Sequence, residues 1–599
     1  MKLGSRHLAP FLALGVLLLL MACARAAPTP TPTTAPPTAT PTTAPVVGAA
    51  TATPTRVVAV APTPTPIRAP ATPTPTAKRE PRGTLNIIDA VGNELWLLRH
   101  STSESPMWYI SEPLLWWDWE KDSPTNEAIL ESWDVKQNTD GSQDFTLKIR
   151  KGVKFHKGWG DVKAEDVKFS LVDFLKPGSV NANTARLTNW FGKDPNNMTV
   201  VDDYTLRIHQ PKVQSLIELL RVASAEEPRT LRPFPKKYYE QVGEEQFPRN
   251  PIYAGPYEFV SQQRGYDIRL KAVPDFYRVT PGFAELHYVK VLEEATKIAM
   301  LRSGQVDIAT VPARYLGELK AAGVRVAVSE YGQEPFIAFG GLFPDRPKCD
   351  PTVPWAGGCK GEQMLAENPT KIRKAFNLAL DRQAIVDKIL FGSGGVGVIS
   401  FSFLSPKFQW WSPEWKPLPY DPKQAKQLLA EAGYPNCFEF KMWQIVGQDP
   451  YSQDIGEVAA STWEQTLGCK VNRRAGEYQP TLRTMLIERN TSGWLYTFSG
   501  GPLARPFRYA CLHGGPNYEV ITHTELPFYS EICPKIERAL DIAEQVKLEQ
   551  QIGDLEYKYF PTVAVGFVHA TYGVGPKVKE WTPMPKKTNA GLLEYAQPK

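Results

Sequence analysis

The stretch RKGVKFHKGWGDVKAEDVKFSL, residues 150–171, decides how the chain is read. With the residues before it, DFTLKIRKGVKF (144–155) alternates apolar and polar positions and predicts two strands around a turn at Lys151-Gly152. AEDVKFSLVDFL (164–175) switches to helical spacing, with Val167, Ser170, Leu171 and Phe174 on one face. Glu165 and Asp166 fall in the first turn, where the helix dipole favours acids. His156 sits between Lys154 and Lys157 with no second histidine or nucleophile beside it, which makes it a poor general base. Asp161, Glu165 and Asp166 balance the lysines, which argues against a nucleic-acid site. The stretch therefore reads as scaffold: lysines and glutamates solvate a surface, and Asp161 or its loop satisfies backbone donors.

Outward from it the same grammar repeats. TLNIIDAV (84–91) predicts a first strand, and TKIAMLRSGQVDIATVP (296–312) a helix, a turn at Ser303-Gly304 and a strand. NPTKIRKAFNLALDRQAIVDKILFG (368–392) predicts one long helix that buries Ile372, Ala375, Phe376 and Ala379 and ends at Gly392. YDPKQAKQLLAEAGYP (420–435) places Asp421 at the N-cap, Pro422 at the first helical position and Gly433 at the end. Strands alternating with helices predict α/β lobes.

The amino end differs in kind. Lys2 and Arg6 precede an apolar run from Leu8 to Met21, too short to span a bilayer and suited to a secretory signal. It ends in Leu20-Met21-Ala22-Cys23, which resembles a bacterial lipobox, so residues 1–22 are the expected signal peptide and Cys23 the lipidated residue. Residues 23–82 are dominated by Pro, Thr and Ala and predict a disordered, extended tether with polyproline II character. The whole chain carries +5; these two segments hold +2 and +5, so residues 83–599 carry about −2. A folded part that is not basic speaks against nucleic acid as a partner.

That part, about 517 residues, is too long for one core and predicts two lobes. Of seven cysteines, six remain after Cys23: Cys349, Cys359, Cys437, Cys469, Cys511 and Cys533. An even number in an exported chain predicts disulfides, expected as the sequence-adjacent pairs 349–359, 437–469 and 511–533. No CxxC or His/Cys cluster has zinc spacing, so neither metal nor cofactor is expected.

Five stretches together resemble the extracytoplasmic solute-binding proteins of the oligopeptide, dipeptide and nickel ABC importers (bacterial family 5). They are AILESWDVKQNTDGSQDFTLKIRKGVKFHKGWGDVKAEDVKFSL (128–171), PIYAGPYEFV (251–260), LRSGQVDIATVP (301–312), IRKAFNLALDRQAIVDKILFG (372–392) and YDPKQAKQLLAEAGYP (420–435), in the family's order. The resemblance implies an α/β fold of two lobes, the first enlarged, joined by two crossing hinge strands. These are placed near VAVSEYGQEPFIAFGG (326–341) and FPTVAVGFVHATYGVG (560–575). Lobe I is then 83–335 plus 563–599, and lobe II 336–562. It further implies a monomeric, lipoprotein receptor outside the cell membrane, anchored in the bilayer through acylated Cys23, that passes a solute to an ABC permease.

Peptide-binding members hold the ligand's amine with an aspartate shortly after a tryptophan. The matching stretch here is read as TSGWLYTFSGGPLARPFRYAC (491–511), with Trp494 as the tryptophan and no acid between Asn490 and Cys511. A buried ammonium needs a paired anion, so the usual amine clasp is not expected. The favoured solute is an oligosaccharide or other polar molecule held by aromatic rings; the alternatives are a peptide with an atypical amine site, or an anion paired to Arg505 or Arg508. Expected ligand contacts are Ser101, Thr102, Ser103 and Trp108 on one lobe and Trp494, Tyr496, Thr497 and Arg505 on the other. No GxSxG, HExxH or P-loop occurs, so an enzyme is not expected; a secreted hydrolase or a solute sensor is the alternative from another class.

Overall fold

The computed structural model describes residues 80–599 apart from 90–95, 101–105, 120–122, 180, 182–183, 193, 213–219, 221–222, 226–230, 400–409, 447–448, 501–510, 512–523, 540 and 586–589. The strands used below are β1 (Thr84–Ile88), β2 (Leu130–Gln137), β3 (Gln143–Ile149), β4 (Met198–Asp202), β5 (Thr205–Gln210), β6 (Tyr257–Gln263), β7 (Asp267–Ala272), β8 (Glu285–Val289), β9 (Ile308–Thr310), β10 (Arg325–Phe339), β11 (Gly394–Val396), β12 (Glu439–Val446), β13 (Lys470–Glu477), β14 (Trp494–Gly500), β15 (Thr562–Ala564) and β16 (Gly566–Val574). Twelve form one mixed sheet in the order β13-β12-β14-β10-β16-β9-β1-β8-β7-β6, with β11 on β16 and β15 on β10. β2, β3, β5 and β4 make a separate antiparallel sheet.

Two large apolar cores flank the middle of the long sheet. One gathers Leu85, Ile87, Phe145, Leu171, Leu286 and Tyr572; the other gathers Phe336, Phe339, Phe376, Met442, Trp463 and Leu495. β10 and β16 serve both. β10 packs Ala327 against the first core and Phe336–Phe339 in the second, and β16 places Val568 in the second core and Ala570, Tyr572 and Val574 in the first. These are the two crossing strands of a two-lobed α/β fold.

The opening stretch is scaffold with one change. β3 and helix α1 (Ala164–Phe174) form as expected, but Val153–Phe155 makes only an isolated bridge, Lys154 to Asp161. Lys157 (φ 55°), Gly158 and Gly160 turn the chain left-handed there and end any ladder. The carboxylate that satisfies backbone donors is that of Asp166, which accepts from Lys163 N and Lys236 N. His156 is not solvated: it is 5% exposed, its Nε2–H donates to the Gly255 carbonyl, and burial pushes its pKa down to about 4.

The predicted long helix over 368–392 is two, α3 (Glu367–Leu378) and α4 (Arg382–Lys388). Asp381 starts a second N-cap by accepting from Ala384 N, which interrupts the first helix, and Gly392 lies beyond α4 in a left-handed turn. The break lets two buried arginines face inward. Arg373 donates to the carbonyls of Tyr559, Trp355 and Met364, and Arg382 to those of Ala564 and Asn377. Asn377 adds a bond to Thr562 O. Helix α5 (Pro422–Glu431) begins on its predicted cap, Asp421 accepting from Gln424 N. Disulfides join Cys349–Cys359, Cys437–Cys469 and Cys511–Cys533.

The return to β15 runs through helices α7 (Pro527–Ile536) and α8 (Ile542–Tyr559). Tyr529 on α7 donates to Glu556 on α8 at 2.7 Å, and burial holds the Glu556 carboxyl well above the usual range. A raised folded pKa favours the protonated native state. Its stabilisation is complete below the unfolded pKa and is lost as pH rises toward the folded one, by about 1.4 kcal/mol per pH unit. Glu556→Gln keeps the tyrosine's acceptor and removes the titration. The stability of wild type minus that of the variant, followed by chemical denaturation from pH 5 to 8, is expected to fall; a flat or rising difference rejects this account.

Candidate functional site

Strand polarity locates the site. β1 pairs parallel with β8 and β9, so three carboxyl ends of the first lobe point the same way. β12 pairs parallel with β13 and β14, which gives the second lobe its own set. Loops at the carboxyl ends of parallel strands are where α/β sheets receive ligands. A cavity of about 460 Å³ opens there. Ile88 and Asp89 come from the end of β1, Lys290 to Leu292 from the end of β8, and Thr310 to Pro312 from the end of β9. The second lobe contributes Asp449, Pro450 and Tyr451 after β12, and the crossing strands supply Gly332, Gln333 and Val568–Thr571 as the floor.

The floor is a break in register. β10 and β16 pair regularly from Arg325↔Val574 to Ser329↔Ala570, then resume at Gln333↔Val568. Tyr331 takes up the extra length at φ 56°, and its N–H donates to His569 Nδ1 at 3.2 Å. That bond leaves Nε2 as the protonated nitrogen of the neutral ring. Phe567 and His569 lie against the Tyr331 ring. Gly332 must be glycine, because a Cβ there would stand 2.7 Å from Ala570 N.

Charges on the walls are mostly committed. Asp449 accepts from Tyr451 N, Ser452 N and Ser452 Oγ, capping helix α6 (Ser452–Leu467). Glu294, in the first turn of helix α2 (Glu294–Ser303), is ion-paired with Arg314. Asp89 accepts from Ala590 N at 3.3 Å. Burial, then the nearby Asp449 carboxylate, pushes the Tyr451 hydroxyl up to about 12, so it stays a neutral donor.

Of the expected ligand contacts that fall among the described residues, Trp108, Trp494, Tyr496 and Thr497, none lines this cavity. Ser101, Thr102, Ser103 and Arg505 lie outside the described residues. Trp108 is half-buried in the turn Met107–Ile110 and packs on the first core. Trp494 starts β14, at the end of the strand away from the cavity, with its ring against Trp443 and between Lys441 and Arg474. Tyr496 is fully buried beside it, and Thr497 Oγ1 accepts from Ile445 N across the sheet. Reading the sequence for composition passed over Asp89, Lys290 and Pro312. The signal that finds them is position: each follows directly on, or within two residues of, a parallel strand.

Residues 125–517 match the family model described as bacterial extracellular solute-binding proteins, family 5, middle. Heme-binding protein A of Haemophilus influenzae is 27% identical over 367 residues, covering 58% of this chain and 61% of that protein. The chain spans 56–61% of the length of the curated relatives it matches. The crystal structure of the ABC transporter substrate-binding protein CtaP from Listeria monocytogenes superposes with a TM-score of 0.69 at 17% identity, covering 87% of this chain and 100% of that one. AgaA from A. tumefaciens R10, in complex with agropinic acid, superposes at 0.65 with 21% identity, covering 86% and 98%.

The floor supplies a prediction. Gly332→Ala forces the new methyl against the Ala570 backbone and is expected to destabilise the chain by about 1–3 kcal/mol. Equilibrium denaturation checks this; an unchanged midpoint shows that the crossing strands part freely.

Proposed function

The chain belongs to family 5 of the bacterial extracellular solute-binding proteins, and from there we propose that it is a lipid-anchored receptor delivering a polar solute to an ABC permease. Proteins of this family are extracytoplasmic binding receptors, not enzymes. The observation that carries the proposal is the cavity itself. It lies where the carboxyl ends of two parallel strand sets meet above two crossing strands, so a solute held there contacts both lobes and the hinge. Closure about a few hinge residues then reports occupancy to a partner. We take the lobes as 83–335 plus 563–599 and as 336–562, a division supported by the change of core along β10 and β16.

The solute is proposed to be an oligosaccharide or similar polar molecule. Support comes from the stretch 490–511, which lacks the acid for an amine clasp, and from cavity acids already bonded within the protein. Among the described residues no helix is long and apolar enough to cross a membrane. Anchoring is assigned to Cys23 and reach to the Pro/Thr tract, ~180 Å if its roughly 60 residues were fully extended.

Two measurements test this. Cys23→Ser is expected to move the protein from the detergent phase to the aqueous phase; unchanged partitioning removes the lipid anchor. Native mass spectrometry of that soluble variant, followed by extraction of any retained molecule, is expected to yield a sugar oligomer. A ladder of peptide masses replaces the carbohydrate reading with a peptide one.

A further inference from the structure

A side chain bridges the register break between the crossing strands. β10 and β16 pair regularly as far as Ser329↔Ala570 and resume at Gln333↔Val568. Within the break the backbone N–H of His569 turns away and donates to the Ser393 carbonyl at 3.1 Å. Its ring turns back, and Nδ1 accepts from the N–H of Tyr331, the residue held at φ 56°. A main-chain amide only donates, so this bond exists only while Nδ1 keeps its lone pair. An imidazolium carries a proton on each nitrogen and sets N–H against N–H. The ring is half-buried and lines the cavity, where solvent protons reach it. The titratable groups around it are Glu330 beside Tyr331 on β10, Asp89 after β1, Lys290 after β8, Glu294 and Lys297 on α2, and Asp449 and Tyr451 ahead of α6. Its own strand adds the buried Tyr572, and the neighbouring β11 adds none. Glu294 is paired with Arg314, which leaves Asp89 and Asp449 set against Lys290 and Lys297, so neither sign dominates.

Whatever solute is bound, we infer that the hinge is a pH-sensitive latch: neutral His569 pins the left-handed turn of β10 to β16, and protonation of the ring releases it. A bulky residue at positive φ is strained and stays there only while its surroundings hold it. Tyr331 loses one such hold when the ring becomes a cation. A change of φ and ψ at a few residues between the lobes is what hinge motion consists of. The pinned state binds one proton fewer than the released state. Its advantage is therefore present at high pH and is lost as pH falls, and the lobes part more readily in acid.

The test follows the Tyr331 amide in the soluble Cys23→Ser chain, labelled with ¹⁵N-tyrosine and without added solute; the peak is identified by its loss in Y331F. Its protection from hydrogen exchange, corrected for the intrinsic rate at each pH, is expected to be about tenfold or more lower at pH 5 than at pH 8, a range that spans the ordinary histidine pKa. The Tyr288 amide, inside β8, is the control and is expected to hold. H569N keeps an acceptor in place of Nδ1 and cannot titrate, so it is expected to show the pH 8 protection at both values. Small-angle scattering is expected to give a larger radius of gyration at pH 5 than at pH 8 in the parent chain and no change in H569N. Tyr331 protection that ignores pH overturns the inference, as does an equal fall at Tyr288 or the same pH dependence in H569N. A response at Tyr331 with no change in radius overturns it too, because the bond then does not govern the lobes. Should H569N not fold, ¹⁵N shifts of the histidine rings decide: one Nδ1 must protonate with the midpoint of the Tyr331 change, and the lack of such a ring overturns the latch. None of these outcomes bears on the identity of the solute.

Discussion

Everything in this structure hangs on one pairing, β10 against β16. These antiparallel neighbours are the strands that pass from one apolar core to the other, and each side of the long sheet is built outward from them. β9 attaches to β16 on one side, and β14 to β10 on the other. In a strand the side-chain period is two, so an uninterrupted ladder would fix the same faces in both lobes. Between Ser329 and Gln333 β10 advances four residues while β16 advances two, so the excess is even and the alternation of faces is kept across the break. It adds length on β10 only and twists the pair locally. Tyr331 pays in left-handed backbone, and Gly332 lets Ala570 approach.

A hinge works only if what it joins is stiff, and buried guanidinium groups brace both lobes. In the second lobe the guanidinium groups of Arg373 and Arg382 donate mainly to main-chain carbonyls, among them Tyr559 before β15 and Ala564 at its end. Burial lowers their pKa values to about 9 and 10, so both remain charged at neutral pH. The planar fork of arginine suits this, because it can bind several carbonyls that helix and strand ends leave over. In the first lobe Arg278 instead joins Glu112 and Glu594, tying the carboxyl-terminal tail to the body, and stacks over Trp116 at 3.7 Å. Rigid braces at Tyr559, Ala564 and Glu594 leave the crossing segment as the place where φ and ψ can change.

Local signals in the sequence were read well where one residue type has one job. Asp421-Pro422 starts α5 because a carboxylate caps and a proline lacks the donor it would waste. The alternation of TLNII becomes β1, and the disulfides join neighbours in sequence. What was not legible depended on contacts far away in the chain. Whether 368–392 is one helix or two turns on Asp381 capping and on Arg382 reaching Ala564, 182 residues distant. His156 looks solvated among lysines, yet it is buried because Tyr253 and Gly255 fold over it.

The same distinction explains the candidate site. Trp494 is placed by the resemblance of 491–511 to a family segment, and a resemblance in sequence does not say which end of a strand faces the cavity. It starts β14, and its indole is a platform for Trp443, Lys441 and Arg474 within the second lobe. The cavity is lined by residues of unremarkable type at strand ends, where the chain has just left the ladder. Their chemistry is then set by what the protein has already consumed. Asp449 accepts three hydrogen bonds at the start of α6, and Glu294 is paired with Arg314. Specificity in such a cleft is written by the bonds its own residues do not make with one another.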